Sequence, residues 1–254
     1  MRRFLLTGFV CALAMLGATS GASADSVIER SGNVFHKAVC DRPAPGYAGC
    51  HAHIVTNKKG ELFANAQAPI GGYGPADLRS AYNTVAGGKV TTVIAIVDAF
   101  GYTNAESDLG TYRSQFGLKA CTTANGCFKK LNQNGVQGSY PAQNIGWAQE
   151  SALDVDMASA MCPRCKIWLV EANDNSYSNL STAVNTAASL GAHVISNSYG
   201  GGEGGTQSVE SAYNHAGVAI TASSGDSGYG VEFPASSPHV IAVGGTHLTT
   251  DGSA

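Results

Sequence analysis

Charge is scarce in this chain, and no stretch of it collects positive charge. Only 13% of the 254 residues are Asp, Glu, Lys or Arg, and the formal net charge is −3. Nucleic-acid-binding surfaces need clustered Lys and Arg, so we expect no nucleic-acid partner. Low charge combined with 32 glycines is typical of a compact, loop-rich, exported protein rather than a disordered one.

Apolar runs long enough to span a membrane are also lacking. The longest run, Phe4 to Leu16, follows the basic start Met1-Arg2-Arg3 and precedes the small residues Ala22-Ser23-Ala24. These features predict a secretory signal peptide over residues 1–24. A membrane anchor is the alternative, but the run is shorter than the ~20 residues that a spanning helix needs. We therefore expect a secreted, extracellular protein without membrane association.

A zinc-ribbon arrangement of cysteines is absent. Cys11 belongs to the predicted leader, and the six that remain form an even set in an exported chain, which predicts disulfides. Six cysteines allow 15 pairings, and close spacing favours Cys40–Cys50, Cys121–Cys127 and Cys162–Cys165. The last pair could also be a redox motif or half of a zinc site, but the oxidising compartment favours a structural disulfide.

Residues 25–70 lack a regular hydrophobic pattern. They are polar and irregular, so we interpret them as an N-terminal extension or remnant pro-segment. Within them His51 and His53 lie two residues apart, as on one face of a strand. A metal-binding pair is one interpretation, but no third ligand is evident nearby, so a surface strand is favoured.

From Gly71 onward apolar runs alternate with helical patterns, which predicts an α/β fold with a parallel sheet. In such sheets binding and catalytic sites form beyond the carboxyl ends of the strands. The residues at the ends of the predicted strands here are Asp98, Ser198–Gly201, 225–227 and 244–246. The predicted strands are 91–97, 166–170, 193–196, 218–222 and 239–243. The predicted helices are 74–82, 104–116, 146–161, 176–190 and 206–215, with a long loop over 117–145.

Three carboxylates stand out within this pattern. Glu150 and Asp154 are four residues apart, so they share one helix face. Neighbouring carboxylates hold one proton more tightly and suit acid–base catalysis. Spacing alone favours a solvated acidic face, although the neighbouring Trp147 and Leu153 weigh against it. Asp226 lies in a glycine-rich turn, where Asp is common for structural reasons alone.

Five segments of the chain together resemble one family. Gln149–Asp156 resembles the E-x-x-x-D helix of the sedolisins, the serine-carboxyl peptidases, and Ser224–Gly228 resembles their S-G-D-S-G segment. Residues 75–82, 97–101 and 196–201 match the family in the same order, so the resemblance covers roughly 70–250. It implies a subtilisin-like parallel sheet with helices on both faces.

The resemblance also implies roles for individual residues. Glu150 is similar to the general base of the nucleophilic serine, Asp154 to the carboxylate that supports this base, and Asp226 to the oxyanion-hole aspartate. Ser198, Tyr199 and Gly200 resemble the edge that pairs with substrate backbone. Glutamate still works as a base at a pH where histidine is protonated, and aspartate donates to an oxyanion only when protonated. The implied activity is therefore hydrolysis of peptide bonds at acidic pH.

Asp98 occupies the position at which related subtilisin-like folds have a catalytic aspartate. Because the resemblance gives that supporting role to Asp154, we interpret Asp98 as structural. An ordinary subtilisin-like protease would also need a catalytic histidine, and the sequence has none between His53 and His193.

The family's nucleophile motif, G-T-S-x-x-x-P, is missing. Gly245-Thr246-His247 has histidine in place of serine, and Ser253 is the penultimate residue. We therefore expect 71–254 to be a partial peptidase domain that ends before the serine and before the family's calcium site. Such a chain would be a monomer, hold no metal and be inactive alone, although the complete enzyme would cleave proteins or peptides. The alternative is a natural non-catalytic, secreted peptide-binding form that uses the edge at Ser198–Gly201.

Overall fold

The computed structural model describes residues 27–62, 72–85, 87–246 and 248. The predicted signal peptide, the predicted domain boundary near residue 70, His247 and Ser253 lie outside these ranges. The strands are β1 (Glu29–Ser31), β2 (Val34–Ala38), β3 (Gly49–Cys50), β4 (His53–Thr56), β5 (Val93–Ala99), β6 (Phe128–Asn132), β7 (Lys166–Ala172), β8 (Val194–Asn197), β9 (Tyr199–Gly200), β10 (Ala219–Ser223) and β11 (Ile241–Val243). The α-helices are α1 (Pro75–Ala81), α2 (Ala105–Gln115), α3 (Ile145–Met161) and α4 (Tyr177–Ser189).

A six-stranded sheet forms the centre of the fold, with the strand order β11-β10-β8-β5-β7-β6. Every neighbouring pair in it is parallel. The predicted α/β class with a parallel sheet is therefore confirmed. All the parallel strands end at the same edge, so Asp98 at the end of β5 lies near the residues that follow β8 and β10.

Alternate residues of the central strands enter two separate cores. On β5, Val93, Ala95 and Val97 join the cluster that contains residues of α4. Ile94 and Ile96 face the other cluster, which contains residues of α2 and α3. Since the side chains of a strand point alternately to its two faces, helices cover both faces of the sheet, as predicted.

Side-chain caps set the starts of the two helices that lie against the sheet centre. Asn144 Oδ1 accepts a hydrogen bond from the backbone N–H of Trp147 at 3.2 Å, which begins α3. Ser176 Oγ accepts from the N–H of Asn179 at 3.3 Å, which begins α4. Such caps satisfy donors that have no partner within the helix.

Two local predictions were wrong. The predicted loop 117–145 contains β6, whose lysines hide the strand pattern. Lys129 Nζ lies over the Trp168 ring at 4.9 Å, and Lys130 Nζ lies 3.6 Å from Glu171. The predicted helix 206–215 forms two 3-10 turns, Thr206–Ser208 and Glu210–Tyr213. Its Thr, Ser and Val residues favour the α-helix only weakly.

The N-terminal segment is more regular than its composition indicated. Strands β1, β2 and β4 form a three-stranded antiparallel sheet, and β3 pairs with β9 of the peptidase-like part. His53 lies on β4, whereas His51 precedes that strand, so the two histidines do not share a strand face as predicted. The segment's status as an extension or remnant pro-segment stays a prediction.

The three disulfides pair as the spacing favoured. Their partners are Cys40–Cys50, Cys121–Cys127 and Cys162–Cys165. Among the described residues, no helix has the length and apolarity required to cross a bilayer.

Candidate active site

Glu150 and Asp154 point from α3 toward the carboxyl end of the sheet. Glu150 is only 1% exposed, so this helix face is not a solvated acidic surface. Asp98, at the end of β5, is fully buried beside them. Burial raises the pKa of Glu150 first, and the negative charges of Asp154 and Asp98 raise it further. Three clustered carboxyls of this kind hold protons that exposed carboxyls would release.

Asp154 is tied to one of the predicted substrate-binding residues. Ser198 Oγ donates a hydrogen bond to Asp154 Oδ1 at 2.8 Å. Burial raises the pKa of Asp154, while the hydrogen bond from Ser198 opposes that rise. Asp154 Oδ2 is buried and accepts no hydrogen bond from any residue that the structure describes.

The predicted substrate-binding edge is already paired with backbone of the same chain. Cys50 lies opposite Tyr199 and Gly49 opposite Gly200 in an antiparallel pair. The N–H of His51 extends the pairing by donating to the Ser198 carbonyl at 3.1 Å. A peptide that adds a strand to an open edge makes hydrogen bonds of this kind. The edge that would receive a substrate is thus occupied by the N-terminal segment.

Gly200 permits this close approach. A Cβ atom there would lie 2.8 Å from Glu232 Oε2 and 3.0 Å from His51 Cε1. Only glycine leaves room for both neighbours at these distances. Tyr199, by contrast, is buried, and its hydroxyl donates to Asn197 Oδ1 at 2.9 Å. The side chain of Tyr199 therefore supports the fold, and its backbone forms the edge.

Asp226 contacts the N-terminal segment through the side chain of His53. It follows β10 in a turn where Gly225 has φ 109°, a conformation that favours glycine. Its side chain is 47% exposed, and its Oδ2 lies 3.5 Å from His53 Nε2. The structure therefore brings Asp226 close to the N-terminal segment.

The segment His51–His53 contacts three of the predicted site residues. The N–H of His51 bonds to Ser198, the N–H of Ala52 donates to Glu150 Oε2 at 2.5 Å, and the ring of His53 faces Asp226. An extended backbone thus runs between the acid pair on α3 and the aspartate after β10.

Sequence reasoning named His51 but missed the two polar residues that its ring contacts. His51 Nδ1 lies 2.6 Å from Ser223 Oγ, and His51 Nε2 lies 3.1 Å from Glu232 Oε2. Both ring nitrogens are engaged, so the imidazole connects the N-terminal segment to Ser223 at the end of β10 and to Glu232. No local sequence pattern connects residues 172 positions apart.

A cleft of about 740 Å³ lies beside Gly49 of β3 and the N-terminal end of α3, and the three predicted catalytic carboxyls do not line it. Its walls come from residues 39–49 on one side and from Phe100, Asn144 and Trp147 on the other. Aromatic walls and a few polar groups are typical of sites for peptide side chains.

Comparison with known proteins identifies relatives of the same kind. The Peptidase_S8 subtilase family matches residues 138–253. Kumamolisin from Bacillus sp. (strain MN-32) is 30% identical over 222 residues, which are 78% of this chain and 39% of kumamolisin. Pseudomonas sedolisin, a serine-carboxyl proteinase solved with two molecules of pseudo-iodotyrostatin, superposes with a TM-score of 0.60 at 25% identity, covering 71% of this chain and 55% of its own. The chain thus spans about two fifths of kumamolisin and about half of the sedolisin chain.

Proposed function

Since the chain belongs to the sedolisin family of subtilisin-like serine peptidases, we propose that it represents a secreted endopeptidase working at acidic pH. Glu150, Asp154 and Asp226 are its catalytic carboxyls, and a serine is its nucleophile. The observation that carries the proposal is the buried Glu150, with Asp154 one helical turn away, beside an edge that already pairs with extended backbone.

Glu150 acts as the general base in this scheme. Asp154 shares a proton with it, which leaves Glu150 able to accept a proton from the serine hydroxyl. The serine oxygen attacks the substrate carbonyl carbon, the C–N bond breaks, and Glu150 returns the proton to the leaving amine. Water then hydrolyses the acyl-enzyme by the same route. Histidine in this place would be protonated at the same acidic pH.

Asp226 stabilises the tetrahedral intermediate. A protonated carboxyl at this position would donate an O–H hydrogen bond to the developing oxyanion. In the present arrangement the side chain of Asp226 faces His53. Release of the segment that carries His53 would free Asp226 for the substrate.

Residues 25–70 act as a pro-segment in this proposal. Their β3 strand pairs with β9 at the backbone positions that a substrate would use. The N–H of Ala52 donates a hydrogen bond to the carboxyl group of the proposed general base, Glu150. As part of the same proposal, the serine and the family's calcium site lie on sequence that continues after residue 254. The 254-residue chain alone would then bind peptides without cleaving them.

The test begins with the gene. The DNA after the Ala254 codon should encode a G-T-S-x-x-x-P segment, in frame or in a shifted frame. The chain extended through that segment should cleave an internally quenched peptide in acid. Glu150→Gln should lower the rate by about 10²–10⁴-fold, and Asp226→Asn by about 10²–10³-fold. Full activity in either variant would refute its assigned role.

The non-catalytic peptide-binding form is the second candidate, and the pairing of β3 with β9 is the observation that favours it. A stop codon with no coding remnant behind it would support this form and contradict the peptidase. The 254-residue chain would then bind extended peptides at the edge once its own segment is displaced, with no cleavage at any pH.

A further inference from the structure

A cluster of metal-binding side chains lies on the small N-terminal sheet, outside the acid pair. Glu29 on β1 lies directly opposite His36 on β2, so the two side chains share one face of the sheet. His53 on β4 lies opposite Ala38, two residues along the strand from His36, and therefore shares the same face. Three adjacent strands thus each contribute one candidate ligand to one surface.

The spacing of these ligand atoms suits a small cation. His36 Nδ1 and His53 Nδ1 are 2.9 Å apart, and one atom from each of Glu29, His36 and His53 lies within 4.8 Å of the others. Zinc binds His nitrogen and carboxylate oxygen at about 2.0–2.2 Å, which places neighbouring ligands of a tetrahedral site about 3.3 Å apart. Small side-chain movements would satisfy that geometry.

The surroundings of His53 add an independent observation. Its other ring nitrogen, Nε2, lies 3.5 Å from Asp226 Oδ2. Metal-binding histidines commonly direct their second nitrogen at a carboxylate, which fixes the tautomer and the ring orientation. A cavity of about 190 Å³ lined by Glu29, His53 and Asp226 adjoins the cluster, so a water molecule has room to complete four ligands.

We propose that Glu29, His36 and His53 form a zinc site that holds the N-terminal segment on Asp226. With zinc on Nδ1, the hydrogen of the His53 ring is on Nε2 and faces the Asp226 carboxylate. A carboxylate that accepts this hydrogen bond is not available to donate one to an oxyanion. This consequence rests on the proposed function, whereas the zinc site itself does not.

Zinc binding is measured on the 254-residue chain at neutral pH, by calorimetry with zinc chloride and by the absorption of the Co²⁺-substituted protein. We expect one ion per chain and the intense visible bands of tetrahedral cobalt. His36→Ala and His53→Ala should abolish both signals, while His215→Ala, which removes a histidine bonded to Asn185 far along the chain, should leave them unchanged. Circular dichroism checks that each variant is folded.

Wild-type protein that fails to bind zinc, or a folded His36→Ala variant that binds it as well as wild type does, overturns the site. Asp226→Asn tests the link to the acid site and should weaken zinc binding by about 10–100-fold. Unchanged affinity in Asp226→Asn overturns the link. Because neither measurement uses a substrate, failure here leaves the proposed peptidase function standing, and failure of the peptidase assay leaves the zinc site standing.

Discussion

The backbone N–H of Ala52 donates a hydrogen bond to Oε2 of Glu150, 98 residues away, at a distance of 2.5 Å. Glu150 is buried, and Ala52 belongs to the segment that pairs with β9, the proposed substrate edge. The carboxyl group of the proposed general base therefore already accepts a hydrogen bond from the backbone of the same chain. Removing that donor tests how firmly the segment is held.

Ala52→Pro removes the N–H and should loosen the segment. A hydrogen bond to an uncharged group contributes about 0.5–1.5 kcal/mol, so local opening should increase by roughly 2–10-fold. Hydrogen exchange of residues 47–53, followed by mass spectrometry, measures that opening. Ala52→Gly keeps the N–H and serves as the control. Equal exchange in the proline and glycine variants would show that the contact does not hold the segment.

Gly200→Ala should weaken the binding of the N-terminal segment from the other strand of the pair, β9. The added Cβ would lie 2.8 Å from Glu232 Oε2 and 3.0 Å from His51 Cε1. Both neighbours must move, which disturbs the pairing of β3 with β9. We expect faster limited proteolysis near residues 47–53 and a lower melting temperature. Gly202→Ala, which meets no atom within 4 Å, should leave both unchanged, and an equal effect in the two variants would contradict the steric argument.

Strands that are buried on both faces of the sheet could be predicted from the sequence, because all of their side chains face an apolar core and are therefore apolar. The apolar residues of β5 face two cores, so the run Val93–Val97 is uninterrupted. Strand β6 carries Lys129 and Lys130 at its centre. Lys129 lies over the Trp168 ring, and Lys130 lies beside the Glu171 carboxyl group, both on the neighbouring strand. That compensation depends on the tertiary partner, so the local pattern did not reveal the strand.

The same distinction applies to the candidate site. Glu150 and Asp154 are neighbours because of helix periodicity alone, and this relation is present in the sequence. The contact between His51 and Ser223 depends instead on the path of the N-terminal segment across the sheet edge. The sequence predicted that this segment is irregular, because its strands are short and polar and show no regular hydrophobic pattern. Their stability comes from pairing with each other and with β9.

Ser198→Ala should destabilise the protein through Asp154. The hydroxyl of Ser198 donates to Asp154 Oδ1, and Asp154 Oδ2 accepts no hydrogen bond from the described residues. Without the hydroxyl both oxygens lack a donor, which costs about 1–3 kcal/mol of unfolding free energy. Chemical denaturation measures the loss. Ser189→Ala, at an exposed position whose hydroxyl bonds only to its own helix, provides the matched control, and equal losses would show that the burial of Asp154 is not the cause.

Stability should fall as the pH rises from about 4 to about 7. Burial raises the pKa of Glu171 to about 7 and, together with the charge of Asp108, raises that of Asp156 to about 7. The unfolded chain releases these protons near pH 4, whereas the folded chain keeps them. Each such group therefore stabilises the fold fully below pH 4, and this contribution is lost as the pH rises through the folded pKa, by at most about 1.4 kcal/mol per pH unit.

Glu171→Gln isolates one of these contributions. Glu171 is fully buried, and its Oε2 accepts no hydrogen bond within the described part of the chain. An amide cannot ionise, so the decline in melting temperature between pH 4 and pH 7 should be shallower in this variant than in wild type. Glu203→Gln makes the same charge change at an exposed site and should keep the wild-type slope. A wild-type melting temperature that increases over this range would contradict the raised carboxyl pKa values, because groups that hold their protons only in the fold must weaken it as they lose them.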